Sequence, residues 1–251
     1  MAVGGTAQKS KLAQLGFRLA LLAAVIAILA VVGWRLQVMP LELAILGILG
    51  GAVFGLIAAL LSVAGIISTV VSGRTGMVTG LIGLVLGALV AGPTLMSVAG
   101  ARSVPPIHDI TTDLQDPPQF VQIVEIRGPD ANPLDRSSPV NLAALQQDAY
   151  PTVTTLTVNA QPGSVFEQAT EVARNMGWDV VTVDPADGII EATDTTALMG
   201  FKDDIVVRVR EENGETAVDV RSVSRVGVGD MGVNAERIQE FLDRLRGRVF
   251  S

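Results

Sequence analysis

"DIVVRVREENGETAVDVRS", residues 204–222, holds two runs of alternating apolar residues on either side of Asn213-Gly214. Alternation of period two marks a strand with one buried face, and Asn-Gly is a strong two-residue hairpin turn because both of its positions take positive φ. If the turn sets the register, Val209 faces Val218, Val207 faces Val220 and Arg208 faces Asp219. Apolar side chains then meet on one side of the sheet and opposite charges on the other, as cross-strand pairing favours. Glu212 opposite Glu215 is the one unfavourable pair, at the exposed tip. The same register turns Asp203, Ser222 and Ser224 inward with Ile205, Val207 and Val220, where buried polar groups need partners.

The neighbouring segments extend this hairpin into a sheet. "WDVVTV" (178–183) and "IIEATDTT" (189–196), joined by Pro-Ala-Asp-Gly, read as two more strands, and Val153, Leu156 and Val158 as an earlier one. Two segments have helical periodicity. Val165, Phe166, Ala169, Val172, Ala173 and Met176 share one face, with Ser164 and Glu167 as a capping box and Gly177 as the stop. Ile238, Phe241, Leu242, Leu245 and Val249 share another, with Asn234 as N-cap. The expected order β-α-β-β-β-β-α describes an antiparallel sheet with two helices on one face. The other face is expected to be polar or to bind something.

Upstream, eight of the twelve prolines lie between Pro105 and Pro151. Repeated X-Pro steps forbid long helices and inner strands. The apolar residues of this stretch, Ile107, Ile110, Phe120 and Ile123 among them, predict a strap packed along the domain rather than a free tether. A short helix is expected from Asn141 to about Asp148.

The first hundred residues follow different rules. No charge occurs from Leu19 to Trp34, from Leu43 to Gly73, or from Thr75 to Ala101. Each run exceeds or approaches the roughly 20 residues that cross a bilayer as a helix. Three spans are expected; a cleavable signal peptide competes for the first, but no clear cleavage site closes it. Lys9, Lys11, Arg18 and Arg74 fall on one side and Arg35 and Arg102 on the other, which favours an N-terminus inside the cell and a C-terminal domain outside. Gly47, Gly51 and Gly55, like Gly76 and Gly80 or Gly83 and Gly87, repeat every four residues, a spacing for close helix packing within the three spans or between copies of the chain. No ionisable residue lies within a span, which argues against an ion pathway.

Charge divides the chain in the same place. Residues 1–104 contain six basic residues and one acid, and residues 105–251 twelve basic residues and twenty-four acids. So acidic a second half argues against nucleic acid, whose phosphates need clustered Lys and Arg. With no cysteine, disulfides, thiol catalysis and Cys-based metal sites are excluded.

Gly227, Gly229 and Gly232 spell G-x-G-x-x-G between a strand and a helix, yet no second strand follows and the sheet is antiparallel, so a dinucleotide site is not expected. Arg225 and Asp230 bracket these glycines and are expected to bridge the loop; Arg221 and Arg225 could instead grip an anion. His108, the single histidine, stands near Asp109 and Asp113. Together they suggest either a metal or general-base site, or polar fixings of the strap. Serine hydrolysis lacks both a nucleophile elbow and a nearby histidine.

"PPIHDITTDLQDPPQF" (105–120), "ALQQDAYP" (144–151) and "VDVRSVSRVGVGDMGVNAERIQEFLDRL" (218–245) resemble, in order and spacing, the bacterial envelope family called domain of unknown function 1499. The resemblance covers residues 105–250, and the preceding spans look like the multi-span version of that family. It implies domain boundaries but no reaction, ligand or catalytic residue.

The expectation is a membrane-anchored α+β protein: three transmembrane helices in 1–104, a proline-rich strap in 105–149 and a globular domain in 150–251. It would sit in the bacterial inner membrane with a periplasmic domain that binds an envelope protein or lipid, with homo-oligomers possible and neither cofactor nor metal assigned. The ligand-binding candidates are Arg221, Arg225, Asp230, His108, Asp109 and Asp113. The competing reading is a metal-assisted hydrolase using His108, Asp109 and Asp113.

Overall fold

In the computed structural model, which describes residues 8–250, the chain divides into two units between Gly100 and Ala101. The first holds α1 (Lys11–Arg35), α2 (Leu41–Ser72) and α3 (Met77–Ala101). All three are long and apolar enough to cross a membrane. At about 1.5 Å per residue even the shorter ones exceed a hydrocarbon core of about 30 Å.

What this bundle buries is small: Ala13, Gly16, Ala20 and Ala23 of α1, Gly51, Gly55, Ala58 and Gly65 of α2, Gly80, Gly83 and Gly87 of α3. What it exposes is large and apolar, including Leu21, Ile28, Leu60, Val85 and Leu89. This inversion suits a lipid solvent, in which helices gain by close backbone approach rather than by hiding leucines. A Cβ on Gly87 would lie 2.6 Å from the Gly55 carbonyl oxygen, and one on Gly55 2.8 Å from that of Gly87. The four-residue glycine spacing therefore serves packing among these helices. Gly73, at φ 61°, ends α2. Ser10 N–H donates to the Thr75 carbonyl at 2.9 Å and Thr75 N–H to that of Gln8 at 3.2 Å, tying the start of α1 to the α2–α3 turn.

The second unit is built on the hairpin. β5 (Lys202–Glu212) and β6 (Glu215–Ser224) pair in the expected register, with Val209 opposite Val218, Val207 opposite Val220, Arg208 opposite Asp219 and Glu212 opposite Glu215. Asn213 and Gly214 take φ 53° and 83°, both positive as the turn requires. β4 (Ile189–Thr195) flanks β5, and β3 (Asp179–Asp184) flanks β4 with a bulge between Val180 and Thr182. On the far side, β6 carries two short partners: β1 (Asp109–Thr111) against Arg221–Val223 and β2 (Leu156–Val158) against Thr216–Val218. All pairings are antiparallel.

One face of the sheet, with Ile190, Ile205, Val207, Val218 and Val220, packs under α6 (Pro162–Asn175) and α7 (Val233–Val249). Trp178 stacks on Phe241 in this core, their centroids 5.2 Å apart. Residues 105–149 do more than strap the domain: they supply β1, the four-residue α4 (Ile123–Ile126) and α5 (Leu142–Ala149). β1 is the strand missing from the expected order. It escapes the proline restriction by being three residues long, at the sheet edge, between Pro106 and Pro117.

Two caps differ from expectation. α6 starts at Pro162, so Ser164 lies inside its first turn and takes a hydrogen bond from Gln168, and no capping box forms. α7 has Gly232 as N-cap, at φ 91°. Asp230, rather than Asn234, serves the open amides, accepting from the N–H groups of Gly232 and Asn234 at 2.9 Å each.

Candidate functional site

Alternation along β4, β5 and β6 turns Glu191, Asp204, Asp219, Arg208 and Arg221 onto the face opposite the helices. Buried carboxylates are costly unless hydrogen-bonded and paired. Asp204 is met by Arg225 Nη2 at 2.7 Å and Nε at 2.9 Å, by Thr193 Oγ1 at 2.9 Å and by Arg127. Asp219 is met by Arg208 Nη2 at 3.0 Å, Thr155 Oγ1 at 2.6 Å and Thr112 Oγ1 at 3.3 Å, and by Arg210. Glu191 accepts the N–H groups of Gln122 and Ile123 at 2.9 Å each, and that of Val121, at the start of α4. Arg221, with no exposed surface, donates to Asp109 through Nε at 3.1 Å and Nη2 at 2.7 Å, to the carbonyls of Pro118 and Leu134 at 3.2 and 2.6 Å, and lies over the Phe120 ring. Asp109 also pairs with Arg136. Each strand-borne charge thus holds a piece of residues 109–136, and the segment seals the charged face. Burial pushes the Arg127 and Arg136 guanidiniums below their ordinary pKa, with Asp204 and Asp109 partly restoring it.

The sequence candidates are dispersed by this arrangement. His108 Nδ1 lies 3.1 Å from the Val228 carbonyl oxygen, while Asp109 is turned into the charge layer. Asp113 accepts the N–H groups of Gln115 and Asp116 at 3.0 Å each and pairs with Arg208 at 3.3 Å. Among the described residues no group of three His, Cys, Asp or Glu is placed to hold a metal. The expected Arg225–Asp230 bridge does not form: Arg225 reaches across to Asp204, and Asp230 caps α7. Arg221 and Arg225, the two arginines that could have gripped an anion, are both paired with carboxylates, Asp109 and Asp204. The glycine loop is equally committed, because the Asp230 carboxylate occupies the amides that a nucleotide phosphate would use.

Sequence reasoning missed Arg237. On the inner face it joins Asp203 at 2.7 Å, Asp194 at 2.9 Å, Asn234 Oδ1 at 2.6 Å and Ser222 Oγ at 3.1 Å. It supplies the partner that inward Asp203 and Ser222 required, and its place one residue before Ile238 on the buried helix face was the available signal. Also missed were Glu191, Asp204 and Asp219 as a set.

One open feature remains on this edge of the sheet. β1 covers Arg221–Val223 and β2 covers Thr216–Val218, so neither strand covers Asp219 and Val220. Thr112 fills the step, its N–H donating to the Val220 carbonyl and its Oγ1 accepting the Val220 N–H, both at 2.9 Å. Beside it opens a cleft of about 440 Å³ lined by residues including Thr112, Asp113, Gln147, Thr155, Thr157 and Arg210. Its polar lining mixes Thr157, Gln147, Asp113, Glu212 and Arg210 with Thr112 and Thr155, whose hydroxyls donate to the fully buried Asp219 behind them and are fixed by it.

No curated protein matches the chain in sequence. A family model does, over residues 109–245, under the description "Protein of unknown function (DUF1499)". The match begins at the first residue of β1 and ends in the last turns of α7, so it takes in every strand, the sealed charge layer and the cleft. By that extent, more than half of its length, the chain belongs to the DUF1499 family.

Proposed function

We propose that the chain is an inner-membrane protein of the bacterial envelope whose C-terminal unit is an exported binding or scaffolding module, with the cleft beside Asp219 as its binding site. The observation that carries the binding reading is this polar-lined cleft, whose Thr112 and Thr155 walls are held in place by their hydrogen bonds to buried Asp219, set in a face that buried ion pairs hold shut elsewhere. Preorganisation of this kind lowers the cost of binding. The placement is supported by the tie between Ser10 and Thr75, which gathers Lys9, Lys11 and Arg74 at one end of the helices. Short-loop basic residues mark the cytoplasmic side, and three crossings put the C-terminal unit on the other.

Alkaline phosphatase fused after Ser251 is expected to be active, and fused at Arg74 inactive. An inactive, stably accumulated C-terminal fusion overturns the exported placement. For binding, a photo-crosslinking residue replacing exposed Gln147 at the cleft is compared in cells with one replacing Arg174 on α6. Adducts specific to position 147 are expected; equal or absent adducts at the two positions overturn the assignment of the cleft.

A further inference from the structure

β4 ends, β5 begins, β6 ends and β1 begins at the same end of the sheet, since Thr195 pairs with Lys202, Asp203 with Ser224 and Asp109 with Val223. Two loops project there, 196–201 and 225–232. Leu198, Val228 and Met231 are 67, 77 and 50% exposed on them. Single exposed apolar side chains are ordinary; three on adjoining loops at one end are a patch. The patch is held out. Asn132 Nδ2 donates to the Gly227 carbonyl at 2.8 Å, His108 Nδ1 lies 3.1 Å from that of Val228, the Asp230 N–H donates to that of Ile107 at 3.1 Å, and Met231 is fixed at φ 58°. A loop pinned at successive residues cannot fold its apolar tips inward.

We infer that this end of the C-terminal unit rests on the lipid surface, with Leu198, Val228 and Met231 entering the bilayer interface. The inference rests on α1–α3 being membrane spans. The covalent chain supplies the first argument: α3 ends at Ala101, and a Cβ on Gly229 would stand 2.9 Å from Pro106 Cα. Five residue steps, at no more than about 3.6 Å each, therefore tie the glycine loop to the end of the third span. Charge supplies the second. The opposite end of the sheet carries Glu211, Glu212 and Glu215 at the hairpin tip and Asp184 and Asp187 in the β3–β4 turn, which anionic headgroups repel, whereas Arg102 and Lys202 lie at the patch end. Apolar tips on a rigid loop beside cationic side chains match the chemistry of a bilayer interface.

The absence of cysteine makes the test clean. The full chain carrying one of L198C, V228C, M231C, V85C or E215C is labelled with an environment-sensitive fluorophore and reconstituted into vesicles of phosphatidylcholine and phosphatidylglycerol containing a headgroup-region nitroxide lipid. Quenching and a blue-shifted emission at positions 198, 228 and 231, severalfold above position 215, are expected. Quenching at those three equal to that at 215 overturns the inference, as does a blue shift that arises only in native membranes, which assigns the patch to a protein. Unquenched label at position 85 under a deep nitroxide, in the lipid-facing surface of α3, would instead remove the anchor itself, and the loop contact with it. Unchanged near-ultraviolet circular dichroism in each labelled variant verifies its fold.

Discussion

Arg221 shows what one residue does here. Its side chain is the largest fully buried one among the described residues, and its hydrogen bonds reach Asp109, Pro118 and Leu134, three separate points of the strap. Arg221→Met is expected to lower stability by about 3–5 kcal/mol, since a buried Asp109 loses its bidentate partner. Adding Asp109→Leu should recover part of that loss, and denaturant titrations of the unaltered protein and the two variants measure both. Tyr150 gives the opposite case. Its hydroxyl is shut from solvent with no hydrogen-bond partner among the described residues. Burial first, then Asp230 and Glu236, raise its pKa above the ordinary phenol value. With the folded pKa raised, its contribution to stability is complete below about pH 10, the unfolded value, and declines as pH climbs toward the folded one. Tyr150→Phe should therefore preserve or raise stability at neutral pH, because no bond is lost and an unmet polar group is removed, and should reduce the alkaline decline in a pH series of melting temperatures.

At the scale of elements, local pattern and tertiary context divided the work. The β5–β6 hairpin was legible in full because alternation, turn chemistry and charge pairing lie within nineteen residues and agree. β1 and α4 were not, because segments of three and four residues carry no periodicity. β1 is a strand because β6 offers an edge, and α4 is fixed because Glu191 binds its first amides. The Arg225 partner was within reach: the hairpin register sets Asp204 beside Val223, two residues along the same face from Arg225, whereas Asp230 drew attention only by proximity in sequence. The membrane helices were legible from hydropathy, and their packing from glycine spacing. Gly87→Ala, whose new methyl meets the Gly55 carbonyl at 2.6 Å, is expected to cost about 1–3 kcal/mol of bundle stability through overpacking. Gly92→Ala, with nothing within 4 Å, should cost nothing comparable. Thermal unfolding of both variants in detergent separates them.

For the whole molecule, the sharp change in hydropathy and charge near residue 100 reflects two solvents for one chain. The first unit buries Ala and Gly and turns Leu, Ile and Val outward; the second buries Ile, Val and Phe beneath two helices and arginine–carboxylate pairs beneath a strap. Each unit has its own core, so a chain beginning at Ala101 is expected to be soluble and to unfold in one cooperative transition. Broad, non-cooperative loss of circular dichroism would show that the helices are needed to complete the domain.

The pairing of β1 with β6 also sets an order of events. Asp109 and Arg221 stand 112 residues apart in sequence, and the earliest strand of the domain is seated only by the last. A ribosome releases the chain from its beginning, so β1 and the strap emerge long before any strand that can receive them. Contacts this distant close late. β1 and the strap are thus expected to latch onto the sheet only after the β5–β6 hairpin has formed, as a closing step of the domain's folding.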